Sequence, residues 1–283
     1  MSASLRVGIV GGGLMGSGIA ETVAAAGHDV RVHEPIPDAR APSLARIVAS
    51  TERALAAGKL DGEAQRALLA RITYVEELAE LADRELVIEA VLEDLAVKLD
   101  VFERLQGHVS DQALLASNTS SIPIAALAGA LAAPGRMIGL HFFSPAPVMA
   151  LVEVVPALDT SDQTLATALS FVASLGKTAI TSPDRAGFVV NMLLVPYLVA
   201  AVRMLEEGFA TREDIDSAMV LGCGHPMGPL TLCDFIGLDV VCAVCDSLFQ
   251  EFRRADFAAP PLLRRMLSAG RLGRKSGRGF YEY

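Results

Sequence analysis

The sequence predicts an α/β chain, with a doubly wound, mostly parallel sheet and an inserted helical hairpin over residues 1–184, then an all-α domain over residues 185–283. Three observations lead there. Short β-branched runs alternate with alanine-rich helical stretches through the first half, the pattern of a parallel sheet covered on both faces. A glycine cluster separates the first run from the first helix, and strand-like runs stop after Ser182-Pro183. A length of 283 residues suits about two domains.

In chain order, strands are expected at VGIV, VRVHE, LVIEA, ALLASNT, RMIGLHFF, LVEVV and TAITS, with a helix from about Thr160 to Leu175 before the last. Between His33 and Asp83 the Ala/Leu/Arg-rich segment breaks near Gly58 to Gly62, so it reads as two helices. From Phe188 to Leu205 apolar residues fall on every side, Thr211 of ATREDI signals a helix start, and GCGHPMGP signals a break. Helices this apolar are expected to bury against each other and against a second subunit, giving a homodimer.

Composition excludes some functions. With 24 basic against 33 acidic residues, a net charge of −9 disfavours nucleic acid, whose binding needs many cationic contacts. Mean hydropathy is high at +0.42, but the longest apolar stretch, Ala186 to Val202, contains Asn191 and Pro196 and stops at Arg203. No membrane span is expected. MSASLRVGIV runs straight into the glycine cluster without a secretory pattern, which points to the cytoplasm. Cys223, Cys233, Cys242 and Cys245 all lie late in the chain and read as reduced thiols. Cys242 and Cys245 form a CxxC with no second ligand pair, so they are expected in a helical core and no metal is expected.

Gly11-Gly12-Gly13-Leu14-Met15-Gly16 fits GxGxxG between a strand and a helix, the context that gives the motif meaning. Gly11 allows the turn, Gly13 lets backbone approach a pyrophosphate, and Gly16 lets helix pack on strand, so a Rossmann-like dinucleotide site is expected there. Leu14 and Met15 complete the loop. Glu34 ends the second strand at the spacing where an acid bonds the adenosine ribose. Its charge would repel a 2′-phosphate, and no basic residue follows before Arg40, so NAD is favoured over NADP.

Oxidising an alcohol with a nicotinamide needs a base for the hydroxyl proton. Among the five histidines, His28 and His33 flank the second strand, His108 sits in a polar loop and His225 in the Gly/Pro cluster, whereas His141 follows the strand-like MIGL. Glu153 lies inside apolar LVEVV, and a carboxylate there needs a partner. An imidazolium at His141 would supply it, and the carboxylate would orient the ring; a buried structural hydrogen bond is the other reading. Ser117-Asn118-Thr119-Ser120-Ser121 follows a strand where parallel sheets place ligands, although Ser121 also suits a cap for a helix at Ile122-Pro123. Asn191, the polar side chain in GFVVNMLLVPYLV, faces either a substrate or another helix.

Together VGIVGGGLMGSGIAE, SNTSSIP, GLHFFSPAPVMALVEVV, DRAGFVVNMLLVPYL, HPMGPLTLCDFIGLD and GRKSGRGFYEY resemble the L-3-hydroxyacyl-CoA dehydrogenase family, especially the bacterial 3-hydroxybutyryl-CoA dehydrogenases, over nearly the whole chain. The resemblance implies that His141 is the acid/base, Glu153 its orienting partner, and Ser120 and Asn191 the groups bonding the reacting substrate. It implies NAD contacts at Glu34, Glu89, Lys98, Asn118 and Lys275, and a contact from Ser50 to the pantetheine-nucleotide arm of an acyl-CoA.

The chain also departs from the family pattern. Phe143-Ser144-Pro145 stands where FNP is usual, and Val148-Met149-Ala150-Leu151 where VMKLVE is frequent. Ala49 and Ala57 occupy the expected lysine positions near the CoA arm, with Arg46, Arg53 and Lys59 as possible substitutes. Arg253 to Arg278 holds eight basic residues against one acid, Asp256. It is either a solvated face or a surface for phosphates or an acidic carrier. The expected activity is therefore NAD-dependent oxidation of an (S)-3-hydroxyacyl-CoA. Two alternatives stand beside it: the same chemistry on an acyl carrier protein-bound 3-hydroxyacyl or glyceryl thioester, as in polyketide extender-unit biosynthesis, and a non-enzymatic NADH sensor or structural protein.

Overall fold

The computed structural model describes residues 4–283. It divides into two compact units, one ending at Asp184 and the other spanning Arg185–Tyr283.

In the first unit the strands are β1 (Arg6–Val10), β2 (Asp29–His33), β3 (Ile72–Val75), β4 (Leu86–Glu89), β5 (Leu114–Ser117), β6 (Met137–Phe142), β7 (Leu151–Pro156) and β8 (Thr178–Thr181). They form one sheet in the order β3-β2-β1-β4-β5-β6-β7-β8. Every pair is parallel except β6 with β7. The order reverses direction between β1 and β4, a switch point whose crevice lies outside the carboxyl ends of the strands. β4, β5 and β6 are buried along their whole length, as expected of strands covered on both faces.

Helices α1 (Leu14–Ala25), α2 (Pro37–Ala56), α3 (Gly62–Ala70), α4 (Leu95–Leu105), α5 (Ile124–Ala128) and α6 (Asp162–Ser174) belong to this unit. Ile19, Ala20 and Val23 of α1, Ile47 of α2 and Leu68 of α3 enter the same core as Val7, Ile9, Val30 and Val32 of the sheet. The inserted pair α2/α3 thus packs through its few apolar residues. Asp61 starts α3 by accepting from the amides of Glu63 and Ala64 at 2.9 and 2.8 Å.

Two local readings are corrected. The segment expected to be only a helical pair also contains β3, a short and half-exposed edge strand; four residues beside Arg71 carry too little periodicity to announce it. The helix after the serine cluster starts at Ile124 and is not capped by Ser121. Asp184 does this, with its two carboxylate oxygens each 2.7 Å from the amides of Ile124 and Ala125.

The second unit is helical: α7 (Val190–Glu206), α8 (Arg212–Cys223), α9 (Pro229–Ile236), α10 (Leu238–Phe252) and α11 (Pro261–Ser268). Leu198 and Val202, Leu230 and Cys233, Cys242, Cys245 and Leu248, and Leu263 close its core. Two buried aspartates organise it. Asp216 accepts from the amides of Leu230 and Thr231 at the start of α9, and Asp234 from those of Phe280 and Tyr281 in the final segment. All four cysteines are free thiols, Cys223 exposed and the others buried, and no group of metal-binding side chains occurs among the described residues. No helix among them is long and apolar enough to cross a membrane.

Candidate active site

The glycine loop leaves β1 at the switch point. Gly11 has φ +101°, and a Cβ on it would lie 2.7 Å from the Ala90 carbonyl oxygen; at Gly16 a Cβ would lie 1.9 Å from the Gly11 oxygen. Neither position admits a side chain. Gly13 differs, since a Cβ there would meet nothing within 4 Å, so its small size keeps clear a space beside the loop. Gly13 is the N-cap of α1 without a side-chain cap bond, and the first turn has no acid. Uncapped amides at a helix N-terminus favour an anion. Leu14 is 69 % exposed on the same turn, and Met15 is half-buried. These features fit the pyrophosphate of a dinucleotide.

Glu34 lies next to the loop, buried, with Oε2 accepting from the Gly12 amide at 3.0 Å and Oε1 from the Ile36 amide at 3.2 Å. Arg40 donates to the Glu34 carbonyl at 2.7 Å and pairs with Glu76 at 3.4 Å. The acid expected to bond the ribose is thus already held at the loop by backbone donors.

At the carboxyl ends of β4 and β5 a chain of charges is buried. Glu89, fully buried, takes the Val91 amide and Lys98 Nζ on Oε1, each at 2.7 Å, and the Ser117 hydroxyl on Oε2 at 2.6 Å. Lys98 also lies 3.2 Å from Glu93 Oε2. Glu93 Oε1 in turn accepts from the Thr119 hydroxyl at 2.6 Å, the Ser120 amide at 2.8 Å, and the hydroxyls of Ser120 and Ser121 at 3.3 and 3.2 Å. Burial raises a carboxyl's pKa, but here the Lys98 ammonium and the bonds from Thr119 and Ser120 outweigh it and hold Glu93 below the ordinary carboxylate range. Glu89 and Lys98 are thus spent on supporting the loop, and the carboxylate of the network that reaches the surface is Glu93. Sequence reasoning passed it over; its signal was an acid placed five residues before Lys98 in the loop after β4.

β6 and β7 bring the remaining pair together. Their antiparallel register sets His141 directly opposite Glu153, so both side chains leave the same face of the sheet. His141 Nδ1 lies 2.7 Å from Glu153 Oε2, with His141 6 % and Glu153 0 % exposed. The imidazole ring rests 4.5 Å, centroid to centroid, from that of Phe143. Asn118 Oδ1 accepts from the Phe142 amide at 2.9 Å, tying the loop after β5 to the residue following His141. Lys177 donates to the carbonyls of Ala146 and Met149 at 2.7 Å each, bracing the segment that follows Phe143-Ser144-Pro145.

The structure therefore gathers Gly11, Gly13, Gly16, Glu34, Asn118, Ser120, His141 and Glu153 at one end of one sheet. Ser50, on α2, donates to Glu21 Oε1 at 2.9 Å. Asn191 and Lys275 belong to the second unit: Asn191 is half-buried in the first turn of α7, and exposed Lys275 pairs with Asp239 at 2.6 Å. In the basic segment, Arg254, Arg264, Arg265, Lys275 and Arg278 all pair with carboxylates. Cys233 and Cys245 lie far from the chemistry of a thiolate, since burial pushes both thiols up, Cys245 to about 12.

Comparison with known proteins identifies the family. The family model for the NAD binding domain of 3-hydroxyacyl-CoA dehydrogenase matches residues 6–185, and that for its C-terminal domain matches residues 187–283. A 3-hydroxybutyryl-CoA dehydrogenase of Mycobacterium tuberculosis is 52% identical over 280 residues, covering 98% of each chain. The crystal structure of M. tuberculosis FadB2 superposes with a TM-score of 0.97 at 51% identity, covering 99% of this chain and 100% of the other. That of (S)-3-hydroxybutyryl-CoA dehydrogenase PaaH1 from Ralstonia eutropha gives 0.94 at 42% identity, with 99% of each chain covered. Through both matched domains, this chain belongs to the 3-hydroxyacyl-CoA dehydrogenase family.

Proposed function

We propose that the chain catalyses the NAD-dependent, reversible oxidation of an (S)-3-hydroxyacyl-CoA, such as 3-hydroxybutyryl-CoA, to the 3-oxoacyl-CoA. The observation that carries this reading is the His141–Glu153 pair, with Nδ1 2.7 Å from Oε2, on the same sheet end as an uncapped glycine loop. NAD held at the glycine loop would supply the acceptor for the hydride that leaves C3 of the substrate. His141 takes the hydroxyl proton as the C–O bond becomes a carbonyl, and returns it in the reverse direction. With Nδ1 committed to Glu153, Nε2 is the proton-transfer atom. Glu153 fixes the ring's orientation and supplies negative charge beside the imidazolium formed during the step.

Ser120 and Asn191 bond the reacting oxygen in this reading. Glu93 holds the loop that carries Ser120, and Asn118 joins that loop to β6. Gly11, Gly13, Leu14, Met15 and Gly16 cradle the cofactor's pyrophosphate and Glu34 its ribose. Glu89 and Lys98 support the nicotinamide side from within, and Lys275 keeps the cofactor-binding role that the family resemblance implies. Ser50 meets the pantetheine-nucleotide arm, with Arg53 and Lys59 supplying cations where Ala49 and Ala57 offer none. The apolar helices of the second unit form a homodimer, and the enzyme works in the cytoplasm.

An acyl carrier protein is the competing thioester carrier. Its support in the sequence is Ala49, Ala57 and Ser144, while the ion pairs within the basic segment weigh against a docking surface there. Oxidation of NADH with acetoacetyl-CoA, run beside the same acyl group on a phosphopantetheinylated carrier protein, decides between them. Efficient turnover of the CoA ester is expected. Poor CoA turnover with good carrier turnover would transfer the activity to a biosynthetic thioester, and no turnover of either would leave an NADH-binding protein.

A further inference from the structure

Arg46, on α2, is held against the glycine loop. Its Nη2 donates to the Gly12 carbonyl at 2.5 Å and its Nε to the Ser17 hydroxyl at 3.3 Å. Gly12 is thereby gripped from both sides, its amide by Glu34 and its carbonyl by Arg46. Ser17 lies in the first turns of α1, whose N-terminus has neither a side-chain cap nor an acid in its first turn. Arg46 makes no ion pair among the described residues, and the bonds that hold it run to the glycine loop and to α1. Its half-buried guanidinium thus keeps its charge beside the glycine loop with no carboxylate bound to it. Its two bonds use only part of its donor fork, and the amides of α1 add positive character at the same place.

We infer that Arg46 binds a phosphoryl group of the dinucleotide, adding a charge to a cradle otherwise built from backbone. The inference rests on reading the glycine loop as the cofactor site. The same phosphoryl chemistry is offered by the nucleotide of CoA, and Arg46 shares one helix face with Ser50 and Arg53 at spacings of four and seven residues. The bonds to Gly12 and Ser17 assign Arg46 to the dinucleotide, leaving Arg53 on the CoA side.

The test compares wild type, Arg46→Gln and Arg46→Lys by fluorescence titration with NADH at low and high salt, by competition with ADP-ribose, and by KM for acetoacetyl-CoA at saturating NADH. Glutamine, whose amide nitrogen reaches only as far as the arginine Nε, keeps a donor for Ser17 but loses the charge and the bond to Gly12; lysine keeps the charge. Arg46→Gln should weaken NADH and ADP-ribose about tenfold or more at low salt, Arg46→Lys should recover part of the loss, and high salt should narrow the gap. KM for acetoacetyl-CoA should not change. Wild-type affinity for NADH in Arg46→Gln would overturn the inference, as would a raised KM for acetoacetyl-CoA with unchanged NADH binding. Failure of the wild type itself to bind NADH would instead overturn the dinucleotide reading beneath it.

Discussion

Glu153 is a carboxylate with no exposure, opposite His141 in a sheet, and its value to the reaction lies in charge as well as in shape. Glu153→Gln keeps the shape and should lower kcat by about ten- to a hundredfold while leaving the dissociation constant for NADH unchanged, since general acid–base catalysis contributes about 10²–10⁴; unchanged kcat would reduce Glu153 to a packing residue. Glu93 works on the loop carrying Ser120. Its carboxyl is held low, so the stability it gives is present above the ordinary carboxylate pKa and disappears as pH falls through the lowered value. Glu93→Gln should raise KM for acetoacetyl-CoA severalfold and lower the melting temperature at neutral pH, with the melting difference from wild type shrinking in acid. A constant difference across pH would contradict the account. His141 and Glu153 were legible in the sequence because an acid inside LVEVV demands a partner. Glu93 was not, because its acceptor role depends on Lys98 and the serine cluster meeting it in space.

Among the elements, the β1–α1 turn separates folding from binding. Gly16→Ala puts a Cβ 1.9 Å from the Gly11 oxygen, so the loop must shift; a loss of about 1–3 kcal/mol in stability is expected together with loss of NADH binding. Gly13→Ala meets no atom within 4 Å, so it should melt like wild type yet bind NADH more weakly, because the methyl group occupies the ligand side. Equal NADH binding by Gly13→Ala would move the pyrophosphate off this turn. Denaturant-free labelling should find one fast thiol per chain at exposed Cys223, with Cys233, Cys242 and Cys245 reacting only on unfolding. Most elements could be read locally, since period-two and period-3.6 patterns and the Thr211 cap are sequence-local signals. β3 could not, being short and half-exposed, and neither could the cap of α5, which Asp184 supplies from 60 positions away.

For the whole molecule, Leu193, Phe209 and Leu221 of the second unit are 72, 78 and 85 % exposed. Large apolar side chains left this open favour association, so light scattering should report a dimer, and a monomer at working concentration would refute that expectation. The fold provides a sheet end that collects a glycine loop, a carboxylate-braced serine loop and a histidine braced by its own glutamate. In that arrangement the histidine moves the substrate proton while the glycine loop holds the cofactor. The decisive measurement is single-turnover oxidation of NADH by acetoacetyl-CoA in wild type and His141→Gln. Wild type should oxidise NADH rapidly and the variant at a rate orders of magnitude lower, with NADH bound equally well by both. Oxidation by His141→Gln at the wild-type rate, or none by the wild type, would contradict this assignment.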